Sequence, residues 1–253
     1  MGVSKNFPIF YKPNFKLIST NQTMKLLLSS FILSISVSLV LAQDASDDFI
    51  SIFDGTSLSG WTATKENPES FFVQDGILTA KGGKAHLFYT GPVGGADFKN
   101  FELKLKVQTT AGSNSGVYFH TAYQKEGWPS KGFEAQVNST QTDPRKTGSL
   151  YGIVNIWAPL ESEESFVVKV DEKQEVFIMQ PQAPSTDGEW FDYHIVVKDK
   201  NITINVNGIT TVNWTQPESW SKGRRIGHGT VALQAHDPKS VTHYKDIEVK
   251  ILE

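Results

Sequence analysis

Three short segments of this sequence place side chains that can move protons or grip hydroxyl groups on one side of an extended chain. In residues 115–121, Tyr118 and His120 alternate with Val117 and Phe119. In 132–138, Glu134, Gln136 and Asn138 alternate with Phe133, Ala135 and Val137, and in 231–236, Gln234 and His236 alternate with Val231, Leu233 and Ala235. Successive side chains of a strand point to opposite faces, so each segment offers one apolar face and one equipped for chemistry. If the three strands are neighbours, Tyr118, His120, Glu134, Gln136, Gln234 and His236 look into one concavity. Glu and His are general acid–base groups, and Tyr joins them where its pKa is tuned. His120, His236 and Glu134 also form a candidate set for a divalent metal ion, with Gln as a weak oxygen ligand. Gln, Asn and Tyr supply the directional hydrogen bonds that a sugar hydroxyl needs, and Trp128, Tyr151 and Trp157 offer rings for stacking on a pyranose. A single Glu or His on a polar strand face is ordinarily just solvated. Six such residues on three strands are harder to dismiss.

The other polar groups do not converge in this way. His86, His194, His228 and His243 lack a matching context and read as surface or loop residues, while Trp61 and Trp190 follow turns and read as caps on the core. Glu161, Glu163 and Glu164 read as a wet loop. The glycines around residues 91–95 lack the lysine and the strand-to-helix setting of a phosphate loop. There is no Gly-x-Ser-x-Gly elbow, no His-Glu-x-x-His helix and no strand with carboxylates on alternate residues, so an ordinary two-carboxylate glycosidase is not evident.

Strands must position these groups. Phe101, Leu103, Leu105 and Val107 alternate with charged residues, as do Ile247, Val249 and Ile251; Ile202, Ile204 and Val206 alternate with polar ones before a turn at Asn207-Gly208. One apolar and one wet face is the mark of antiparallel sheets packed on a core. Asp54-Gly55, Asp75-Gly76 and Asp187-Gly188 punctuate further strands. The segment 161–175 is ambiguous, its acidic start allowing a short helix and its FVVKV a strand. The expected architecture is all-β, one domain built as a sandwich or jelly roll of antiparallel sheets.

Composition sets the limits. The chain has 253 residues, 39% hydrophobic and 20% charged, which excludes disorder, collagen and coiled coil. Residues 1–42 hold four lysines and no acid, so the remainder carries 20 basic against 27 acidic groups, a balance of −7. That surface disfavours nucleic acid as a partner. Cysteine is absent, which removes disulfides, thiolate metal sites and a cysteine nucleophile. Met24-Lys25 precedes a run of apolar and small residues, 26–41, that ends at Ala42. This reads as a secretory signal peptide cleaved after Ala42, with Met24 a candidate start, and it is short for a membrane span. The expectation is export to a bacterial periplasm or cell surface, with 43–253 as the mature domain and no stable membrane insertion.

The ordered motifs FISIFDGTSLSGW, FFVQDGILTA, FELKLKV, NSGVYFH, GFEAQV, GSLYG, GEWFDYHIVV, GTVALQAH and YKDIEVKIL run from Phe49 to Leu252. Together they resemble the 3-keto-disaccharide hydrolase domain family, long catalogued as a domain of unknown function. The resemblance implies a concanavalin A-like β-jelly roll, export, and action on glycosides oxidised to a ketone at carbon 3. It places the family's Asn-Ser-Gly turn on Asn114, Ser115 and Gly116, its Glu-x-Gln strand on Glu134 and Gln136, its Tyr-Gly on Tyr151 and Gly152, and its Gln-x-His on Gln234 and His236. Two positions depart from it: His120 stands where the family commonly has Arg, and Asn138-Ser139 where an Asp often follows the strand.

The expected function is therefore net hydrolysis of a 3-keto-glycoside by β-elimination and hydration. Glu134, His236, His120 and Tyr151 are the candidate catalytic groups, and Tyr118, Gln136, Gln234, Asn114 and Ser115 the candidate sugar-binding ones. A divalent metal is a candidate cofactor, and which of Glu134 and His236 acts as base is open. The alternative is a non-catalytic carbohydrate-binding module of the same fold.

Overall fold

A computed structural model of the protein describes residues 48–158, 167–170, 175–180, 182–221 and 223–253, all within one compact unit, Ala45–Glu253. The apolar run 26–41 and the acidic cluster at 161–164 lie outside the described residues. The regular structure of the described chain is strand, apart from two short 3-10 turns, Pro68–Ser70 and Val93–Ala96. No described helix is long and apolar enough to cross a membrane.

In chain order the strands are β1 (Ile50–Ser51), β2 (Trp61–Ala63), β3 (Phe71–Gln74), β4 (Ile77–Lys81), β5 (Ala85–Tyr89) and β6 (Phe101–Thr109). They continue with β7 (Ser115–Thr121), β8 (Phe133–Val137), β9 (Val154–Trp157), β10 (Val167–Val170) and β11 (Glu175–Met179). The last five are β12 (Phe191–Lys198), β13 (Asn201–Val206), β14 (Ile209–Thr215), β15 (Thr230–Ala235) and β16 (Val241–Ile251). A large sheet runs β14-β13-β12-β6-β16-β4-β3, with β1 paired to β16, and a five-stranded sheet runs β2-β5-β15-β7-β8. This is the sandwich of antiparallel sheets expected from the alternation, of the concanavalin A-like jelly-roll kind that the resemblance implies.

The long strands of the large sheet keep one face dry. Leu103, Leu105 and Val107 of β6, Ile195 and Val197 of β12 and Val249 of β16 are buried, and they pack in one core with Val117, Phe119, Ala135 and Leu233 from the smaller sheet. The smaller sheet behaves differently: β5, β7, β8 and β15 are buried along their whole length. Its inner face meets the large sheet and its outer face lies under loops, so polar residues on that outer face are enclosed rather than solvated.

Two details depart from the sequence-based expectation. The small third sheet, β10-β11-β9, is not purely antiparallel, because β11 runs parallel to β9. The chain passes along β9, reverses through β10 and returns in β9's direction. The second departure is a bulge between β7 and β15. Thr230 pairs with Thr121 and Ala232 with Tyr118, so Val231 alone faces both Phe119 and His120. His120 takes the extra place with φ of 53°, a left-handed conformation that few non-glycine residues adopt.

Candidate active site

On the outer face of the five-stranded sheet, β7 carries Tyr118, β8 carries Glu134 and Gln136, and β15 carries Gln234. The antiparallel register sets Tyr118 opposite Glu134 and Gly116 opposite Gln136. A cavity of about 190 Å³ opens above them, walled by these side chains, by Asn114 before β7 and by His236 just past the end of β15. Loops supply the rest of the wall: Trp128, Asp143, Tyr151 and Arg224.

Glu134 is the centre of a closed polar cluster. The Tyr118 hydroxyl donates to its Oε2 at 2.7 Å, the Gln234 amide donates to its Oε1 at 3.1 Å, and a guanidinium nitrogen of Arg224 lies 4.0 Å from Oε2. Burial raises the Glu134 pKa, while Tyr118, Arg224 and Gln234 pull against that rise. Burial, and then the neighbouring Glu134 charge, push the Tyr118 hydroxyl far above its ordinary range, so it stays a donor. Gly116 makes the arrangement possible, because a Cβ at that position would sit 2.5 Å from Glu134 Oε1. Beside this cluster, Gln136 donates to Asn114 Oδ1 at 2.9 Å.

His236 forms the opposite wall. Its Nδ1 lies 2.8 Å from Asp237 Oδ2, and Asp237 also accepts from the Lys239 and Ser240 backbone amides and the Ser240 hydroxyl. Burial raises the Asp237 pKa, but the bonds from His236, Lys239 and Ser240 outweigh it and leave the carboxylate below its ordinary value. A carboxylate fixed on Nδ1 sets the tautomer with Nε2 free to accept a proton. The Trp128 ring stands 5.5 Å from the His236 ring, half exposed above the sheet.

Three atoms of the cavity wall are buried without a hydrogen-bond partner: Gln136 Oε1, Gln234 Oε1 and Arg224 Nη1. Two acceptors and one donor left unmade cost about 1–3 kcal/mol each. A ligand hydroxyl, which both donates and accepts, would satisfy them.

Residues 48–250 match the family described as the 3-keto-alpha-glucoside-1,2-lyase-like domain. The chain belongs to that family. A 3-keto-disaccharide hydrolase of Bacteroides thetaiotaomicron is 33% identical over 88 residues, 32% of this chain and 30% of that protein, so the match spans under a third of that relative. A candidate glycosyl hydrolase of known structure from Parabacteroides distasonis superposes with a TM-score of 0.60 at 19% identity, covering 85% of this chain and 99% of that one. A second from the same organism gives 0.56 at 19% identity, over 81% and 100% of the two chains. These two likenesses are of fold.

Within this lyase-like domain, Tyr118, Glu134, Gln136, Gln234, His236, Asn114 and Tyr151 line one cavity. Two residues singled out from sequence do not. Ser115 faces the inside of the sandwich, its hydroxyl 2.5 Å from both the Gln234 carbonyl and the Tyr244 hydroxyl. His120 is turned away by the bulge: its ring packs on Phe101 and Phe119, its Nε2 meets the Lys99 carbonyl at 2.9 Å and its Nδ1 accepts from Gly227 N–H at 3.3 Å. Period-two alternation assumed an unbroken strand, and the extra residue cancels it. Trp157 also lies elsewhere, edge-on to Phe177 in the third sheet.

The metal set of Glu134, His236 and His120 is consequently not assembled. Among the described residues no three His, Cys, Asp or Glu side chains converge as ligands, and the positive charge beside Glu134 is Arg224. Sequence reasoning missed Arg224 and Asp237, and misjudged His86, which is fully buried on β5 opposite Gln234. The His-Asp dipeptide at 236–237 was a legible signal for Asp237; nothing local marked Arg224.

Proposed function

We propose that the domain cleaves glycosides bearing a ketone at carbon 3, and that it does so by elimination followed by hydration. The observation that carries this reading is the meeting, in one small cavity, of a carboxylate-oriented imidazole with buried amide oxygens and a guanidinium nitrogen that make no hydrogen bond. The ketone acidifies the proton on carbon 2. His236, held by Asp237, takes that proton at Nε2, and the electron pair moves onto the carbon 3 oxygen as an enolate. Arg224, whose Nη1 makes no hydrogen bond, steadies the enolate oxygen.

The enolate then collapses: the carbon 3 carbonyl re-forms, the electron pair moves in to make a double bond between carbons 1 and 2, and the bond from carbon 1 to the glycosidic oxygen breaks. Burial, and next the charge of Asp143, raise the Tyr151 pKa, so its hydroxyl keeps the proton that the departing oxygen takes. Water adding across the new double bond completes a net hydrolysis. Glu134 is already saturated by Tyr118 and Gln234, which suits it to binding and orienting the ring rather than to abstracting a proton. The family resemblance and the Bacteroides relative's name support the substrate class. The segment 24–42 supports export as a secreted or periplasmic protein.

The test is incubation of the purified chain with a 3-keto-glucoside and mass analysis of the products. Cleavage is expected, and His236→Ala should lower turnover by about 10²–10⁴-fold while the fold persists. Asp237→Asn should cost about 10–100-fold, with the pH dependence of turnover displaced. Binding of unoxidised sugars without any cleavage would replace this reading with that of a carbohydrate-binding module.

A further inference from the structure

Arg145 links the third sheet to the wall of the cavity. Its guanidinium carbon lies 4.8 Å from the centre of the Tyr151 ring, and its Nη2 donates to Glu175 Oε2 at 3.0 Å. We infer that Arg145 is a positioning residue: seated by Glu175 of the third sheet, it holds the Tyr151 phenol in place and steadies the phenolate left when that phenol gives up its proton. The inference rests on the reading above, in which Tyr151 supplies the proton, and adds to it the group that makes the proton available.

Two strands of the third sheet build the seat. β11 brings Glu175 and also Phe177, whose ring centre lies 5.8 Å from the guanidinium carbon. β9 brings Asn155, which is fully buried. Asn155 donates to Glu175 Oε2 at 3.2 Å and accepts from the Gly152 amide at 3.0 Å, so one side chain ties the carboxylate to the turn that carries Tyr151. The Tyr151 amide donates to the Glu134 carbonyl at 2.9 Å, which pins the same turn to β8. Asp143 Oδ1 accepts from the Arg145 amide at 2.9 Å and lies 3.6 Å from Nη1. The side chains of Arg145 and Glu175 are 24% and 15% exposed, so the pair is partly shielded from the water that weakens ion pairs at a surface.

Charge explains why the reaction needs a cation here. Burial first, then the carboxylates of Asp143, Glu134 and Glu175, hold the proton on Tyr151, and Arg145 opposes them. Unopposed, they would leave the phenol a poor acid at the moment the bond to the departing oxygen breaks. A guanidinium over the ring is attracted to its π electrons, and more strongly once the ring carries a negative charge.

The proton count requires that charge. In the elimination Tyr151 passes its proton to the oxygen leaving carbon 1, while His236 holds the proton from carbon 2. In the hydration the phenolate takes a proton from water as the water oxygen joins carbon 1. His236 then returns its own proton to carbon 2, and both groups end as they began. Tyr151 is therefore an anion once in each turnover, with Arg145 seated against it.

Two measurements on the whole chain test the inference, one of them without turnover. In protein labelled with 3-fluorotyrosine, the fluorine resonance that is missing from Tyr151→Phe reports the Tyr151 phenol. Its titration midpoint should rise by about one pH unit in Arg145→Met, a roughly tenfold weaker acid. Arg145→Lys keeps the charge and gives up the flat contact, and should bring the midpoint back toward that of the unaltered protein. The second measurement compares a methyl 3-keto-glucoside, whose leaving oxygen needs a proton, with a 4-nitrophenyl one, whose leaving oxygen departs without it. Arg145→Met should lower kcat about tenfold for the methyl glycoside and by less than about twofold for the nitrophenyl one, with KM unchanged for both. An unmoved midpoint, or equal losses on the two substrates, would overturn the proposal, because a purely structural Arg145 would weaken both reactions alike. A displaced midpoint in a chain that cleaves neither glycoside would uphold the seat beside Tyr151 while overturning the reaction.

Discussion

Gly116 shows how one residue decides whether the site can exist. It lies on the outer face of β7, where the Glu134 carboxylate crosses over it, and a methyl group there would overlap Oε1 at 2.5 Å. The backbone conformation is ordinary, so the requirement is for space alone. Gly116→Ala should therefore displace Glu134, break its bonds with Tyr118 and Gln234, and weaken sugar binding by about tenfold or more, while the stability loss stays near the ~1–3 kcal/mol of other overpacked sites. Calorimetric titration together with urea unfolding separates the two effects; unchanged affinity would show that Glu134 does not set the binding geometry. Residue types on alternating positions made Tyr118, Glu134, Gln136, Gln234 and His236 legible in the sequence. Arg224 was not legible, because its approach to Glu134 is made by a loop 90 residues further along the chain whose course no local pattern encodes.

At the scale of elements, the bulge in β7 redirects His120 from the cavity to the back of the loop that carries Arg224. His120 joins three distant pieces of chain: its own strand, Lys99 through Nε2, and Gly227 through Nδ1. The same loop is held by the Trp220 indole donating to the Arg224 carbonyl at 2.7 Å and by the Ile226 amide donating to Gln216 at 2.8 Å. His120→Asn keeps a residue that tolerates φ of 53° but is too short to span both partners. The expected outcome is faster exchange of the Gly227 amide, a loss of about 1–2 kcal/mol of stability for the two bonds, and weaker substrate binding as Arg224 loosens. Gly227 protection equal to that of the unaltered protein would refute the tether. Strand β7 itself was foreseen from its alternation; the bulge was not, because an inserted residue leaves the composition of a strand unchanged.

Across the whole molecule, the large sheet was readable from sequence because it has water on one side, which forces polar and apolar residues to alternate. The smaller sheet is covered on both sides, so its polar residues are not marked as solvent-facing, and His86 passed for a surface residue although it is fully buried. Its ring stands edge-on to Tyr118 at 5.3 Å and to Trp128 at 5.5 Å, and neither ring nitrogen has a partner. Burial first, and then the Lys84 charge, lower the His86 pKa from 6.5 to about 4. A depressed histidine pKa means that the unfolded chain binds the proton more readily, so the contribution to stability is whole above pH 6.5 and disappears as pH falls through about 4. At most this amounts to about 3 kcal/mol. Glu134 acts in the opposite sense, since its raised pKa makes ionisation at neutral pH a cost that acid relieves. His86→Leu isolates the histidine term: between pH 7 and pH 4 the variant should lose about 3 kcal/mol less than the unaltered protein in urea unfolding. It should also be no less stable at pH 7, because two unpaired buried nitrogens have been removed. Parallel stability curves for the two proteins across that interval would mean that His86 finds a partner in solution and that the outer face of the small sheet is wetter than its burial implies.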